Sequence, residues 1–287
     1  MSRIAYVNGR YVRHAEAAVH IEDRGYQFAD GVYEVCEVRY GYIIDLTRHL
    51  DRLERSLREL QIRMPMTRKA LTHIIKETVR RNRVYNGMYY LQITRGVAKR
   101  DHFFPADTVS PSVVVTAKSI NRDAGEARAE KGIAVITVPE NRWERVDIKS
   151  VGLLPNVLAK QEAKLRGATE AVFVDGDGMI KEGAATNFWI VTKDGTLLTR
   201  PAEHGILRGV TRTTVMDVAA KLGLVVEERG FSIEEAKQAR EAFITAATTL
   251  VMPVIMLNDS PIGNGHPGMI APQLREAFFD VAEKTPC

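Results

Sequence analysis

The chain has 287 residues, 45% hydrophobic and 26% charged, with 40 Lys and Arg against 36 Asp and Glu for a net charge of +4. At roughly 150 residues per domain this length suggests about two domains, and the apolar content excludes a disordered chain. The small cationic excess is spread without a basic tail, which argues against a nucleic-acid partner.

No apolar run reaches membrane-spanning length, and the N-terminus lacks a signal-peptide core. Two cysteines, Cys36 and Cys287, are too few for a disulfide scaffold and have no zinc spacing. The expectation is a soluble, cytoplasmic protein without a metal or membrane partner.

Ile4 to Val7, the turn Asn8-Gly9 and Tyr11-Val12 read as a β-hairpin, and Val32 to Tyr40, Gly41 and Tyr42 to Asp45 as a second. Thr47 is placed to cap a helix with Leu50, Leu53, Leu57 and Leu60 on one face. Pro65-Met66-Thr67 opens another, with Leu71, Ile74, Ile75 and Val79 apolar. Met88 to Thr94 and Val113 to Thr116 are strand-like, so residues 1–118 read as a small α+β domain. Residues 119–132 are polar and lack apolar periodicity, which predicts a linker or exposed loop.

The remainder, 133–287, reads as a larger domain. It opens with a strand from Ile133 to Val138, then a helix from about Asn156 to Leu165 that stops at Gly167. Hairpins follow at the turn Asp175-Gly176-Asp177-Gly178, which lacks the Glu of a calcium loop, and at Lys193-Asp194-Gly195. Thr211 to Leu222 is helical, Leu224 to Glu228 a strand, and Ser232 to Glu235 a capping box. Strands at Ala242 to Thr245 and Val254 to Leu257 precede a last helix from about Pro272 to Glu283.

Four stretches could carry chemistry. Lys149 sits among Ile148, Val151, Leu153 and Leu154, and a lysine amine in apolar surroundings can form a Schiff base with a carbonyl. A surface lysine on an edge strand is the plainer alternative. Glu182, before Gly183-Ala184-Ala185-Thr186-Asn187, could face a cofactor over small side chains, or simply face solvent at a turn. Arg208-Gly209-Val210-Thr211-Arg212 opens a helix whose free amides suit a phosphate, although an ordinary capped helix explains it equally well. Arg95 to Pro105, with Arg100 and His102 beside two phenylalanines, could grip a carboxylate or be a solvated loop. Together they amount to an amine, an acid, a phosphate cradle and a carboxylate grip, which suits pyridoxal-phosphate chemistry on an amino acid.

In order along the chain stand Glu22-Asp23-Arg24-Gly25-Tyr26-Gln27-Phe28 with Asp30-Gly31-Val32-Tyr33-Glu34-Val35, then His49-Leu50-Asp51-Arg52-Leu53 and Asp147-Ile148-Lys149-Ser150. Leu158-Ala159-Lys160-Gln161-Glu162-Ala163 and Glu182-Gly183 with Thr186-Asn187 follow. Over nearly its whole length this series resembles the D-amino-acid aminotransferases of fold type IV, the branched-chain-aminotransferase-like family dependent on pyridoxal 5′-phosphate.

The resemblance implies an α+β architecture with a smaller N-terminal α/β sandwich domain and a larger, β-barrel-like C-terminal domain with helices, the latter carrying the cofactor lysine. It implies that Lys149 holds the cofactor as an internal aldimine and moves the substrate proton, and that Glu182 keeps the pyridine nitrogen protonated. Arg52, Val210 and Thr211 would bind the phosphate. Tyr33, Arg100 and His102 would trap the substrate carboxylate, with the Arg and His supplied by the neighbouring subunit of a homodimer. Ala246 and Ala247 stand where the family usually carries a hydroxyl on a second phosphate-side loop, so that Thr248 or backbone amides would have to compensate, and Leu250 replaces an acid frequent there.

The implied reaction is ping-pong transfer of the amino group of a D-amino acid such as D-alanine to a 2-oxo acid such as 2-oxoglutarate. A branched-chain L-amino-acid aminotransferase and an aminodeoxychorismate lyase share the scaffold, and an inactive binding protein is the alternative outside enzymology. The Arg100-Asp101-His102 spacing favours the D-specific reading over the first of these.

Overall fold

The computed structural model describes residues 3–203 and 205–287, which divide into two compact units. The N-terminal unit comprises the chain up to Asn121, together with Ile148–Gly152 and Glu283–Cys287. In chain order it contains β1 (Ile4–Val7), β2 (Arg10–Arg13), α1 (Arg24–Phe28), β3 (Gly31–Arg39), β4 (Tyr42–Ile44), α2 (Leu46–Glu59), α3 (Arg68–Arg81), β5 (Gly87–Thr94) and β6 (Ser112–Ser119).

The C-terminal unit, Arg122–Asp147 and Leu153–Ala282, contains α4 (Arg122–Lys131), β7 (Ile133–Pro139), α5 (Leu154–Leu165), β8 (Glu170–Val174), β9 (Ile180–Gly183), β10 (Asn187–Val191) and β11 (Leu197–Thr199). It continues with α6 (Val210–Lys221), β12 (Val226–Glu228), α7 (Ile233–Lys237), β13 (Glu241–Ala246), β14 (Leu250–Leu257), β15 (Ser260–Pro261) and α8 (Ile270–Ala277). A last strand, β16 (Lys284–Pro286), returns to the N-terminal unit.

The first unit is built on a seven-stranded antiparallel sheet in the order β16-β4-β3-β5-β6-β1-β2. Side chains alternate along its strands, so one face is apolar. Val32, Cys36 and Val38 of β3, with Tyr89, Leu91 and Ile93 of β5, pack against Leu50, Leu53 and Leu57 of α2 and Leu71, Ile75 and Val79 of α3. The opposite face carries the half-buried Tyr33, Val35, Tyr90 and Gln92. The second unit has a nine-stranded mixed sheet, β12-β11-β10-β13-β14-β7-β8-β9 with β15 paired to β14. It curls, because the terminal strand β9 also lies beside β10. Phe188, Ile190, Ile244, Met252, Val254 and Phe231 form the centre of its core. Among the described residues no helix is long and apolar enough to cross a membrane.

Local signals placed most elements correctly. Asn8-Gly9 turns β1 into β2, Thr67 caps α3 by accepting from Ala70 N at 3.3 Å, and Ser232 caps α7 by accepting from Glu235 N at 3.1 Å. Four expectations are corrected. Residues 119–132 are not a linker: Arg122–Lys131 is helix α4, whose polar surface hides it from a search for apolar periodicity, and Glu126 ties it to Arg275 at 2.8 Å.

Thr47 does not cap α2, which begins one residue earlier with Asp45 at the cap in the left-handed region. The backbone N–H and hydroxyl of Thr47 instead both donate to Glu283, at 3.0 Å each, so a carboxylate from the chain's far end closes the helix start. The last helix stops at Ala277 and gives way to a 3-10 turn, because Glu283 and β16 are engaged by Asp45 and β4. Finally, Lys149 belongs to the N-terminal unit and not to the domain that follows residue 133. The Lys149 carbonyl accepts from Tyr33 N at 3.0 Å, and Val151 N donates to Gly31 O at 3.0 Å, so residues 148–152 lie along the start of β3.

Deleting residues 283–287 removes the edge strand and the carboxylate that closes α2. The expected cost is about 2–4 kcal/mol, read as a melting temperature lower by several degrees. An unchanged melting curve would show that this return segment does not hold the first unit together.

Candidate active site

In the N-terminal unit the residues singled out for chemistry gather on and beside β3. Lys149 is half-buried, and its Nζ lies 4.2 Å from the centroid of the Tyr33 ring. Tyr33 in turn stacks on Tyr90, with centroids 5.7 Å apart, and the Tyr90 hydroxyl donates to Gln92 Oε1 at 2.6 Å. Burial, with Tyr33 adding to it, pushes the Tyr90 phenol up to about 12, so it remains a donor at any ordinary pH.

On the other face of β3, Glu34 is buried and bidentate to Arg52, at 2.8 Å to Nε and 2.7 Å to Nη2, while His49 Nδ1 lies 2.7 Å from its Oε2. Burial alone would raise the Glu34 carboxyl, but the Arg52 guanidinium and the His49 ring outweigh it and hold it at about 2. Burial also lowers the His49 imidazole, so a neutral ring bonded to a carboxylate fixes one side of this cluster. The cluster clamps the Arg52 guanidinium in one orientation.

Arg100 and His102 lie on an exposed loop after β5. The Arg100 guanidinium sits 4.9 Å from the centroid of the Phe28 ring, and the His102 ring 5.5 Å from it. Arg24 packs on the same ring at 4.7 Å and donates to Asp101 O at 2.7 Å, so α1 holds the loop from beneath. Asp30 binds Arg24 at 2.8 Å and Arg95 at 2.7 Å, and Arg95 reaches the Phe104 ring at 3.6 Å. The two loop residues are thus presented together, while Tyr33 groups with Lys149.

In the C-terminal unit Glu182 of β9 is a buried carboxylate with donors on both oxygens. Arg142 Nη1 donates to Oε1 at 2.7 Å, Asn187 Nδ2 to Oε2 at 3.1 Å, and Leu207 N to both, at 3.2 and 3.1 Å. Arg142 also binds Glu140 at 2.7 Å and covers the Phe173 ring at 4.2 Å. Burial raises the Glu140 carboxyl, yet Arg142 prevails and holds it below the usual range.

Helix α6 begins after Gly209, which offers no capping side chain, so its first amides and the buried Thr211 stand at a positive helix end. Val210 is buried with them. Ala246 ends β13 and Ala247 opens the turn to β14, in which Thr248 is exposed, while Leu250 at the start of β14 holds φ at +55°.

These groups suit an anionic, phosphate-bearing pyridine aldehyde. The N-terminal unit provides a lysine amine and a clamped arginine, and the C-terminal unit a carboxylate held by donors and an uncapped helix start. Arg142 escaped the sequence reading, and Glu34, His49 and Phe28, although they stand in the family motifs, were given no role there. Glu34 left one trace: it falls on the apolar face of β3, and a charged residue there demands a partner.

Comparison with known proteins gives the same class. The class IV amino-transferase family model matches residues 31–256, and the chain belongs to that family. It is 37% identical over 273 residues to a D-alanine aminotransferase of Staphylococcus haemolyticus, covering 95% of each chain. It is 38% identical over 271 residues to a D-alanine aminotransferase of Bacillus licheniformis, covering 94% of each. Among solved structures it superposes on a branched-chain amino acid aminotransferase (from T.th.) with pyridoxamine 5′-phosphate, at a TM-score of 0.89 and 28% identity, over 98% of this chain and 94% of that one. The expected fold type IV architecture is therefore the one found.

Proposed function

We propose that this protein is a pyridoxal 5′-phosphate-dependent transaminase that moves the amino group of a D-amino acid, such as D-alanine, to a 2-oxo acid such as 2-oxoglutarate. The observation that carries the reading is the paired presentation of Arg100 and His102 on Phe28, in a chain whose curated relatives include D-alanine aminotransferases. When bound, the cofactor supplies an electron sink that makes the substrate Cα–H acidic.

The remaining work belongs to the chain. Lys149 Nζ would hold the cofactor and, once released as a free amine, would carry the proton from the substrate Cα to the cofactor C4′ on one face. Glu182, held by Arg142, Asn187 and Leu207, keeps a proton at the pyridine nitrogen. Arg52, oriented by Glu34, binds the phosphate together with the α6 start at Val210 and Thr211. Thr248 supports the phosphate from the β13–β14 turn in place of the hydroxyl that Ala246 and Ala247 lack. Tyr33, Arg100 and His102 grip the substrate carboxylate. With Lys149 fixed on one face, only one enantiomer turns its Cα–H to the amine.

The exposure of Arg100 and His102 supports a homodimer in which each loop completes the site of the neighbouring subunit. We also place the protein in the cytoplasm, a reading supported by the free thiols Cys36 and Cys287.

Initial rates with D-alanine and with L-leucine as amino donors to 2-oxoglutarate test the proposal. D-alanine is expected to turn over and L-leucine not. The converse would establish the branched-chain alternative. Arg100→Ala is expected to raise KM for the amino acid by roughly 10- to 100-fold with cofactor affinity unchanged. Mixing it with inactive Lys149→Ala subunits is expected to restore part of the activity at low substrate. If Arg100→Ala weakens only the cofactor, the loop has a different task.

A further inference from the structure

We infer that Asn187 is a positioning residue that holds the phosphate-binding start of α6 in register with Glu182, and that residue 209 is glycine because the Asn187 amide fills the place of its side chain. The inference rests on the transaminase reading above.

Its basis is one buried amide. After Glu182 the chain turns sharply, with Gly183 N donating to Thr186 O at 2.8 Å, and enters β10 with Asn187. Asn187 Nδ2 donates both to Glu182 Oε2, at 3.1 Å, and to the Leu207 carbonyl, at 2.9 Å. Leu207 is thereby held on both sides of its backbone, since its N–H donates to the Glu182 carboxylate at 3.1 Å. Two residues on, a Cβ at Gly209 would stand 2.0 Å from Asn187 Oδ1, well inside contact distance. The next residue, Val210, begins α6.

The carboxylate proposed to face the ring and the amides proposed to face the phosphate are therefore fixed to a common side chain. A neutral amide is required there, because it must donate to a carboxylate and a carbonyl at once. An aspartate would oppose both.

The test compares dissociation constants of the full-length chain, freed of cofactor by dialysis, for pyridoxal 5′-phosphate and for pyridoxal, which lacks the phosphate. The ratio of the two reports how well the phosphate is reached while the ring is held. Asn187→Ala, and Asn187→Ser should the alanine variant fold poorly, are expected to shrink that ratio about tenfold. Gly209→Ala is expected to shrink it likewise, and to cost much less when the amide at 187 has already been removed.

A ratio equal to wild type in the Asn187 variants, whatever their melting temperatures, would reduce Asn187 to a packing residue and overturn the inference. Independent, multiplying effects of Gly209→Ala and Asn187→Ala would overturn it as well. Failure of the wild-type chain to bind either compound would overturn the transaminase reading itself. Tight wild-type binding with an unmoved ratio would leave that reading standing and remove only the register role.

Discussion

Lys149→Ala is expected to abolish transamination, with a rate loss of at least about 10³-fold, while the protein keeps its fold. The local structure separates the two effects. What anchors the segment is backbone: the Lys149 carbonyl to Tyr33 N, and Val151 N to the Gly31 carbonyl. The side chain lies half-buried over the Tyr33 ring. Truncating it removes the amine and little packing, so the melting temperature is expected to stay close to wild type. A folded Lys149→Ala variant with wild-type turnover would remove the central chemical assignment.

Glu182→Gln is expected to retain the cofactor and to slow turnover by on the order of 10²- to 10³-fold, measured as single-turnover rates with D-alanine. The substitution preserves size and leaves an oxygen for Arg142, but it withdraws the negative charge proposed to keep the ring nitrogen protonated. Glu182→Lys is a harsher change, because it would set an ammonium against the Arg142 guanidinium, now 2.7 Å from the Glu182 carboxylate. That variant is expected to lose stability as well as rate. An unchanged rate in Glu182→Gln would show that the carboxylate serves only to hold Arg142 and Leu207.

The acid side of the stability curve has its own signature. Glu34 sits at about 2 in the folded protein, against an ordinary value of 4.5. Its contribution is therefore full above pH 4.5 and is lost as the pH falls toward 2. His49 is lowered by burial, so the unfolded chain takes up its proton first and stability declines as the pH drops through the range of free histidine.

What could be seen in the sequence was what is local. Asn8-Gly9, Thr67 and the Ser232 capping box each carry their meaning within a few residues, and the structure uses them as expected. The apolar stripe of α2 and α3 likewise declared their buried faces. What escaped depends on partners far along the chain. The start of α2 is closed by Glu283, β16 pairs with β4, and the Lys149 segment packs on β3. Helix α4 has no apolar stripe to reveal it.

The candidate site divides the same way. Lys149, Glu182, Arg52 and the α6 start stand in motifs, so their types and spacing could be recognised. The side chains that hold them act across long sequence distances: Arg142 reaches Glu182 from before the lysine, and Phe28 supports the loop that carries Arg100 and His102.

The most direct test of the central claim is the visible absorption spectrum of the purified protein loaded with pyridoxal phosphate, recorded before and after D-alanine, with L-leucine in a parallel cuvette. The expected result is a yellow band that bleaches with D-alanine and persists with L-leucine, and that is absent from Lys149→Ala. Bleaching by L-leucine alone, or no yellow band at all after loading, would contradict the account.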